Sequence, residues 1–151
     1  MDYMVFNECF DIFCQCHNLK HLWLRSMSSE YDGVVRPRVV LPDLVSLRLD
    51  IHHHIEFLWN NLSLPKLQEG SFWFLMEDVW PKSEFFALLD RSSCELRTLQ
   101  IPEYMSEDDS VECVERIPSL RSLNWRSAAP NERAFSERVT RMLEQRATNL
   151  D

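Results

Sequence analysis

The sequence predicts an α/β fold made by repeating one strand–loop–helix unit along the chain. Three observations predict it: a leucine hexad that occurs five times, a proline turn before three of the copies, and helical periodicity between them. The hexad Leu-x-x-Leu-x-Leu stands as Leu19–Leu24 and Leu44–Leu49. Altered copies follow at Leu67–Phe72, Leu96–Ile101 and Leu120–Trp125. Successive copies are 25, 23, 29 and 24 residues apart, within the roughly 20–29 residues of a leucine-rich repeat.

Each element has a local reason. In Leu22-Trp23-Leu24 the leucines point one way and the tryptophan the other, the alternation of a half-buried strand. Strands are therefore expected near 19–24, 44–49, 67–72, 96–101 and 120–125. Leu41-Pro42-Asp43-Leu44, Leu64-Pro65-Lys66-Leu67 and Ile117-Pro118-Ser119-Leu120 precede three of them. Proline fixes its own φ and disfavours helix in the residue before it, which separates helix from strand. Val5, Phe6, Cys9, Phe10, Ile12, Phe13 and Cys16 recur at helical spacing before the first strand. Ile55, Leu58 and Leu62 do so before the third, Phe85, Phe86, Leu88 and Leu89 before the fourth, and Val111, Val114 and Ile117 before the fifth. Asn131 is placed to cap a last helix, about 131–148, with Phe135, Val139, Met142 and Leu143 on one face.

These units imply one leucine-rich-repeat domain over 1–151: a solenoid of about five turns, with parallel strands on its concave face and a C-terminal capping helix. No N-terminal cap is evident, so the chain reads as the C-terminal part of a longer architecture. The positions after the hexads that often hold asparagine or cysteine are Met27, His52, Leu75, Tyr104 and Ala128, so irregular turns are expected there.

Composition narrows the function. Hydrophobic residues make up 45% of the 151 and charged residues 26%, a globular balance. Only Gly33 and Gly70 are glycine, which excludes glycine-rich phosphate cradles. The net charge of -8 disfavours nucleic acid and anionic membranes as partners. Glu103, Glu107, Asp108, Asp109, Glu112 and Glu115 form an acidic run that suits a helix start. Five cysteines, with Cys9, Cys14 and Cys16 in an apolar helical pattern, suit a reduced compartment, cytoplasm or nucleus. No stretch reads as a signal peptide or a membrane span.

The proline-led hexads, together with Phe85-Phe86-Ala87-Leu88-Leu89-Asp90-Arg91-Ser92-Ser93-Cys94-Glu95-Leu96-Arg97-Thr98-Leu99, resemble the repeats of fungal F-box proteins with leucine-rich repeats. The resemblance covers about Leu19 to Leu123. It implies a substrate-recruiting subunit of a cullin-type ubiquitin ligase, whose repeats bind the target while the F-box docks the ligase adaptor. No segment reads as an F-box, so the adaptor is an expected partner only where one is encoded upstream.

Chemistry is sparse. Cys14, Cys16, His17, His21, His52, His53 and His54 include no C-x-x-C pair, and three consecutive histidines splay apart. Cys94, at a helix end beside Arg91, Ser92 and Ser93, and Cys113, in an apolar helical stripe, read as core or turn residues, and the acids do not converge as a general acid–base pair. No catalytic residue, metal or cofactor is expected. The candidate site is the concave strand face, where side chains between the hexad leucines meet solvent. It comprises His21, Trp23, Arg25, Ser46, Arg48, Asp50, Glu69, Ser71, Trp73, Thr98, Gln100, Pro102, Ser122, Asn124 and Arg126. Partner binding is assigned to Trp23, Arg25, Arg48, Asp50, Glu69, Trp73, Gln100 and Arg126, since Trp and Arg dominate binding hot spots. The three arginines would make the face basic and suited to an acidic protein segment. Trp59, Trp80 and Trp125 are assigned to the core. The expected function is a protein-interaction scaffold; the alternative is a truncated or structural fragment of a longer leucine-rich-repeat protein without independent activity.

Overall fold

The computed structural model describes residues 6–25, 37–51, 55–74, 80–102, 105–126 and 137–149. In chain order the elements are α1 (Phe6–Gln15), β1 (His21–Arg25), β2 (Val39–Val40), β3 (Ser46–Ile51), α2 (Ile55–Asn60), β4 (Leu62–Ser63) and β5 (Glu69–Phe74). There follow α3 (Lys82–Ser92), β6 (Thr98–Pro102), α4 (Glu107–Arg116), β7 (Ser122–Arg126) and α5 (Glu137–Thr148). Five strands form one parallel sheet in the order β1-β3-β5-β6-β7, each new strand laid beside the previous one. β2 and β4 pair separately, also in parallel.

The hexads set the register. His21 pairs with Ser46, Ser46 with Glu69, Glu69 with Thr98 and Thr98 with Ser122. These offsets of 25, 23, 29 and 24 residues are the spacings of the hexads themselves. The strands nevertheless start two residues later than the hexads. The first hexad leucine closes a turn instead: Leu44 N donates to Leu41 O, Leu67 N to Leu64 O and Leu120 N to Ile117 O. The next two amides then share one carbonyl of the preceding turn. Val45 and Ser46 share Lys20 O, Gln68 and Glu69 share Val45 O, Arg97 and Thr98 share Gln68 O, and Arg121 and Ser122 share Arg97 O.

One sheet face and the helices enclose the core. Leu44, Leu47, Leu49, Leu67, Phe72, Leu96, Leu99 and Ile101 are fully buried against Leu58, Trp59, Phe85, Leu88 and Val114. Trp59 lies at the centre of an aromatic cluster, its ring 5.2 Å from Phe72, 5.3 Å from Phe85 and 5.5 Å from Trp80. Trp80 is likewise buried, and Trp125 packs half-buried against the core.

Three details differ from the periodicities. Ile12 is 44% exposed although it falls in the apolar stripe of α1. Leu62 lies in β4 rather than on α2, because Asn61 ends that helix: its side chain donates to Phe57 O and its carbonyl accepts from Val39 N. α5 is described from Glu137, with Val139 buried and Met142 and Leu143 half-buried against the core. Asn131 and Phe135 lie outside the described residues, as do Met27, His52, Leu75, Tyr104 and Ala128, where irregular turns are expected. Glu107, Asp108 and Asp109 fill the first turn of α4, and Ser106 caps it by accepting from Asp109 N.

Candidate functional site

The side chains between the hexad leucines share the sheet face opposite the helices. The pairing places them in three rows. His21, Ser46, Glu69, Thr98 and Ser122 form the first; Trp23, Arg48, Ser71, Gln100 and Asn124 the second. Arg25, Asp50 and Trp73 continue the third, in which Pro102 faces Arg126 across β6 and β7. Alternation along each strand produces the rows, because every second side chain goes to the core.

At one end of the sheet these rows build an aromatic–ionic cluster. Trp23 is 57% exposed and donates its indole N–H to Asp50 Oδ2 at 3.0 Å. Arg48 stands beside it in the row, its guanidinium carbon 4.3 Å from the indole ring centroid. Its Nε is 3.7 Å from the same Asp50 oxygen. Asp50 thus anchors both the ring edge and the cation above the ring, and holds the largest exposed aromatic surface of the face in one orientation. An exposed cation–π contact is worth about 0.5–1 kcal/mol, so its main effect is to limit rotamer freedom.

Towards β7 the face turns neutral and polar. Ser71 donates to Gln100 Oε1 at 2.9 Å, and Asn124 donates to Ser122 Oγ at 2.9 Å. Glu69 is exposed, whereas Trp73 and Gln100 are half-buried. Pro102 is buried rather than solvent-facing: the chain turns back there, with Met105 N donating to Pro102 O and Met105 itself buried. The Arg126 side chain lies outside the described residues. Among those described, Arg25 and Arg48 are matched by Asp50 and Glu69, so the face is charge-mixed rather than basic.

The other candidate groups are dispersed. Among the described residues no cluster of three metal-ligating side chains forms, and His52–His54 lie outside them. Cys94 follows Ser93, which ends α3 in the left-handed conformation at φ 49°. Burial pushes the Cys94 thiol up, and pushes that of Cys113 to about 12, opposite to the direction of an activated nucleophile.

Two features escaped the sequence reading. One is an open cleft of about 560 Å³ between Cys94, Glu95, Arg97, Pro118, Ser119 and Arg121. The other is a pair of arginines directed at helix ends, Arg91 and Arg146. Each sits on an otherwise amphipathic helix, and nothing in the local pattern distinguishes it from a solvated residue.

Comparison with known proteins gives no matching family model, no matching curated protein and no matching solved structure.

Proposed function

We propose that the repeating turns form a leucine-rich-repeat solenoid that acts as a protein-recognition scaffold, gripping a partner on the exposed strand face. The strand order supports the solenoid, since the strands of the sheet lie side by side in the order of the chain and their register repeats with the hexads. Trp23 carries the functional half of the proposal. A large aromatic more than half exposed, oriented by Asp50 and stacked by Arg48, has the composition and rigidity of a binding hot spot. Asp50, Trp73 and Arg25 extend it along one row, and the Ser71–Gln100 pair continues it as an adaptable polar surface. The resemblance to fungal F-box proteins extends the proposal to recruitment of a target to a ubiquitin ligase.

Alanine substitution of Trp23, Arg48 and Trp73 together tests it. The triple variant is expected to keep its far-ultraviolet circular dichroism and to lose partners captured from a lysate. Capture unchanged by the substitutions would sink the proposal. Co-purification of the ligase adaptor tests the ligase extension separately.

A further inference from the structure

The turn that leads into β6 departs from the others. Leu41-Pro42, Leu64-Pro65 and Ile117-Pro118 lead into three strands, each with its aliphatic residue buried. Ser93-Cys94 stands at the same place before β6, and Ser93 is exposed and left-handed, at φ 49°. The open cleft of about 560 Å³ lies here, between this turn and Pro118, Ser119 and Arg121 of the next. A smaller cavity of about 350 Å³ shares Cys94, Pro118 and Ser119 with it and extends it to Leu89, Asp90 and Arg116. All the lining residues are among those described. Cavities of roughly 300–1,000 Å³ hold small organic ligands.

Charge decides what the cleft can take. Arg121 N donates to Arg97 O at 2.8 Å, which sets the two arginines side by side at the entrance of β6 and β7. Like charges in that relation repel, and both side chains are exposed. Glu95 reaches Arg97 at 3.4 Å with its own side chain 76% exposed, a contact worth little. Arg121 donates to backbone carbonyls of its own turn, Pro118 O at 3.3 Å and Leu120 O at 3.5 Å. Among the described residues no carboxylate pairs with it. At the far end Asp90 offsets Arg116, so the positive charge of the cleft is concentrated at Arg97 and Arg121.

We propose that this cleft binds an organic carboxylate, its oxygens shared between the Arg97 and Arg121 guanidiniums and its short carbon chain lying along Cys94, Pro118 and Ser119. Glu95 marks the chemistry. It is an internal carboxylate that serves Arg97 loosely, and a ligand serving both arginines displaces it. Guanidinium forks hold their donors in fixed directions that match a carboxylate, and binding also relieves the repulsion between the two cations. The acid can be a free small molecule or the C-terminus of a peptide, since both present the same group. The cleft shares no residue with the strand face proposed above.

The test uses the full chain, with Cys94 as reporter because it lines the cleft. Alkylation by neutral iodoacetamide is followed by mass spectrometry at constant ionic strength. The probes are succinate and the peptide acetyl-Ala-Ala with a free C-terminus. A saturating probe is expected to slow Cys94 labelling several-fold and to leave the exposed Cys14 unchanged. The melting temperature gives a second reading, since a ligand of the folded state raises it. Arg97→Gln and Arg121→Gln should each weaken binding about tenfold, whereas Arg141→Gln, an exposed arginine of α5, should not. Glu95→Gln removes the internal competitor and should tighten binding; a residue that only shaped the turn would weaken it. Protection by one of the two acids alone supports the proposal and names the source. Four outcomes overturn it: no protection or melting shift with either acid, equal effects from sulfate or from the amidated peptide, binding that survives both arginine substitutions, and weaker binding in Glu95→Gln.

Discussion

The Arg91 guanidinium donates to the carbonyl oxygen of Trp59, 32 residues earlier in the chain, and to that of Leu62, 29 residues earlier. Arg146 stands in the same relation to Val114 and Ile117, again 32 and 29 residues back. In both cases an arginine on one helix satisfies a carbonyl in the last turn of the preceding helix, α2 or α4, and another just beyond its end, where the last four helical carbonyls have no partner within the helix. Burial lowers both arginine pKa values below their usual range without threatening the charge. The fork geometry matters, because the planar guanidinium holds its donors in fixed directions towards two carbonyls, whereas an ammonium is a compact point charge on a flexible stem. Arg91→Ala is expected to destabilise the fold by about 2–3 kcal/mol, and Arg91→Lys to recover less than half of that. Urea denaturation decides it; a lysine variant equal to wild type would show that charge, not the fork, is what matters.

Gly70 stands in the row where the other strands place Leu22, Leu47, Leu99 and Leu123. The Phe72 ring takes the space instead. A Cβ at position 70 would lie 3.0 Å from two ring atoms of Phe72, and that ring packs edge-on against Trp59. Gly70→Ala should therefore cost about 1–3 kcal/mol through overpacking. The double change Gly70→Leu with Phe72→Leu restores a regular hexad and should be markedly less destabilised than Gly70→Leu alone. Thermal melts of Gly70→Leu, Phe72→Leu and the double variant measure the coupling, and additive effects would refute the exchange of space.

The same pair shows how much of the fold was legible. Hexad spacing gave the strand order and the register, because parallel neighbours inherit the repeat offset. It did not give the strand starts, since Leu44, Leu67 and Leu120 look like strand residues yet close turns. The altered third copy, Leu67–Phe72, was readable as a repeat, but its reason was not: Gly70 makes sense only once the Phe72 ring is placed. On the exposed face, alternation picked out Trp23, Arg48 and Asp50 together. It could not show that Asp50 joins the other two, nor that Pro102 is buried by the turn at Met105, because both depend on contacts beyond the strand.

The helix layer carries a pH-sensitive link. Lys82 Nζ at the start of α3 lies 3.0 Å from Glu112 Oε2 and 3.4 Å from Asp109 Oδ1 on α4. Arg116 holds Glu112 from the other side at 3.2 Å and lies 3.8 Å from the Phe86 ring centroid. The hydrogen bond from Lys82 is the main cause that holds the Glu112 carboxyl below its usual 4.5. A carboxyl lowered in the folded state stabilises above its unfolded pKa, and that stability is lost as pH falls through the folded value. The urea midpoint should therefore drop between roughly pH 5 and pH 3, less steeply in Glu112→Gln. The group is exposed, so the difference is small and salt should reduce it. Parallel slopes at low salt would show that Glu112 does not contribute.

The five cysteines are all free thiols in different surroundings. Cys14 is exposed, Cys16 and Cys94 are half-buried, and Cys9 and Cys113 are buried. Burial pushes Cys9 to about 11 and Cys113 to about 12, with neighbouring carboxylates adding to the shift. At pH 8 both thiols are therefore overwhelmingly protonated. Alkylation followed by mass spectrometry should label Cys14 first. Cys9 and Cys113 should react only through opening of their helices. Cys9 should precede Cys113, because α4 is held between α3 and α5 by Lys82 and Arg146. Adding Arg146→Ala should bring Cys113 labelling forward and leave Cys9 unchanged. Cys113 reacting as fast as Cys14 in the native protein would show that α4 is not packed as described.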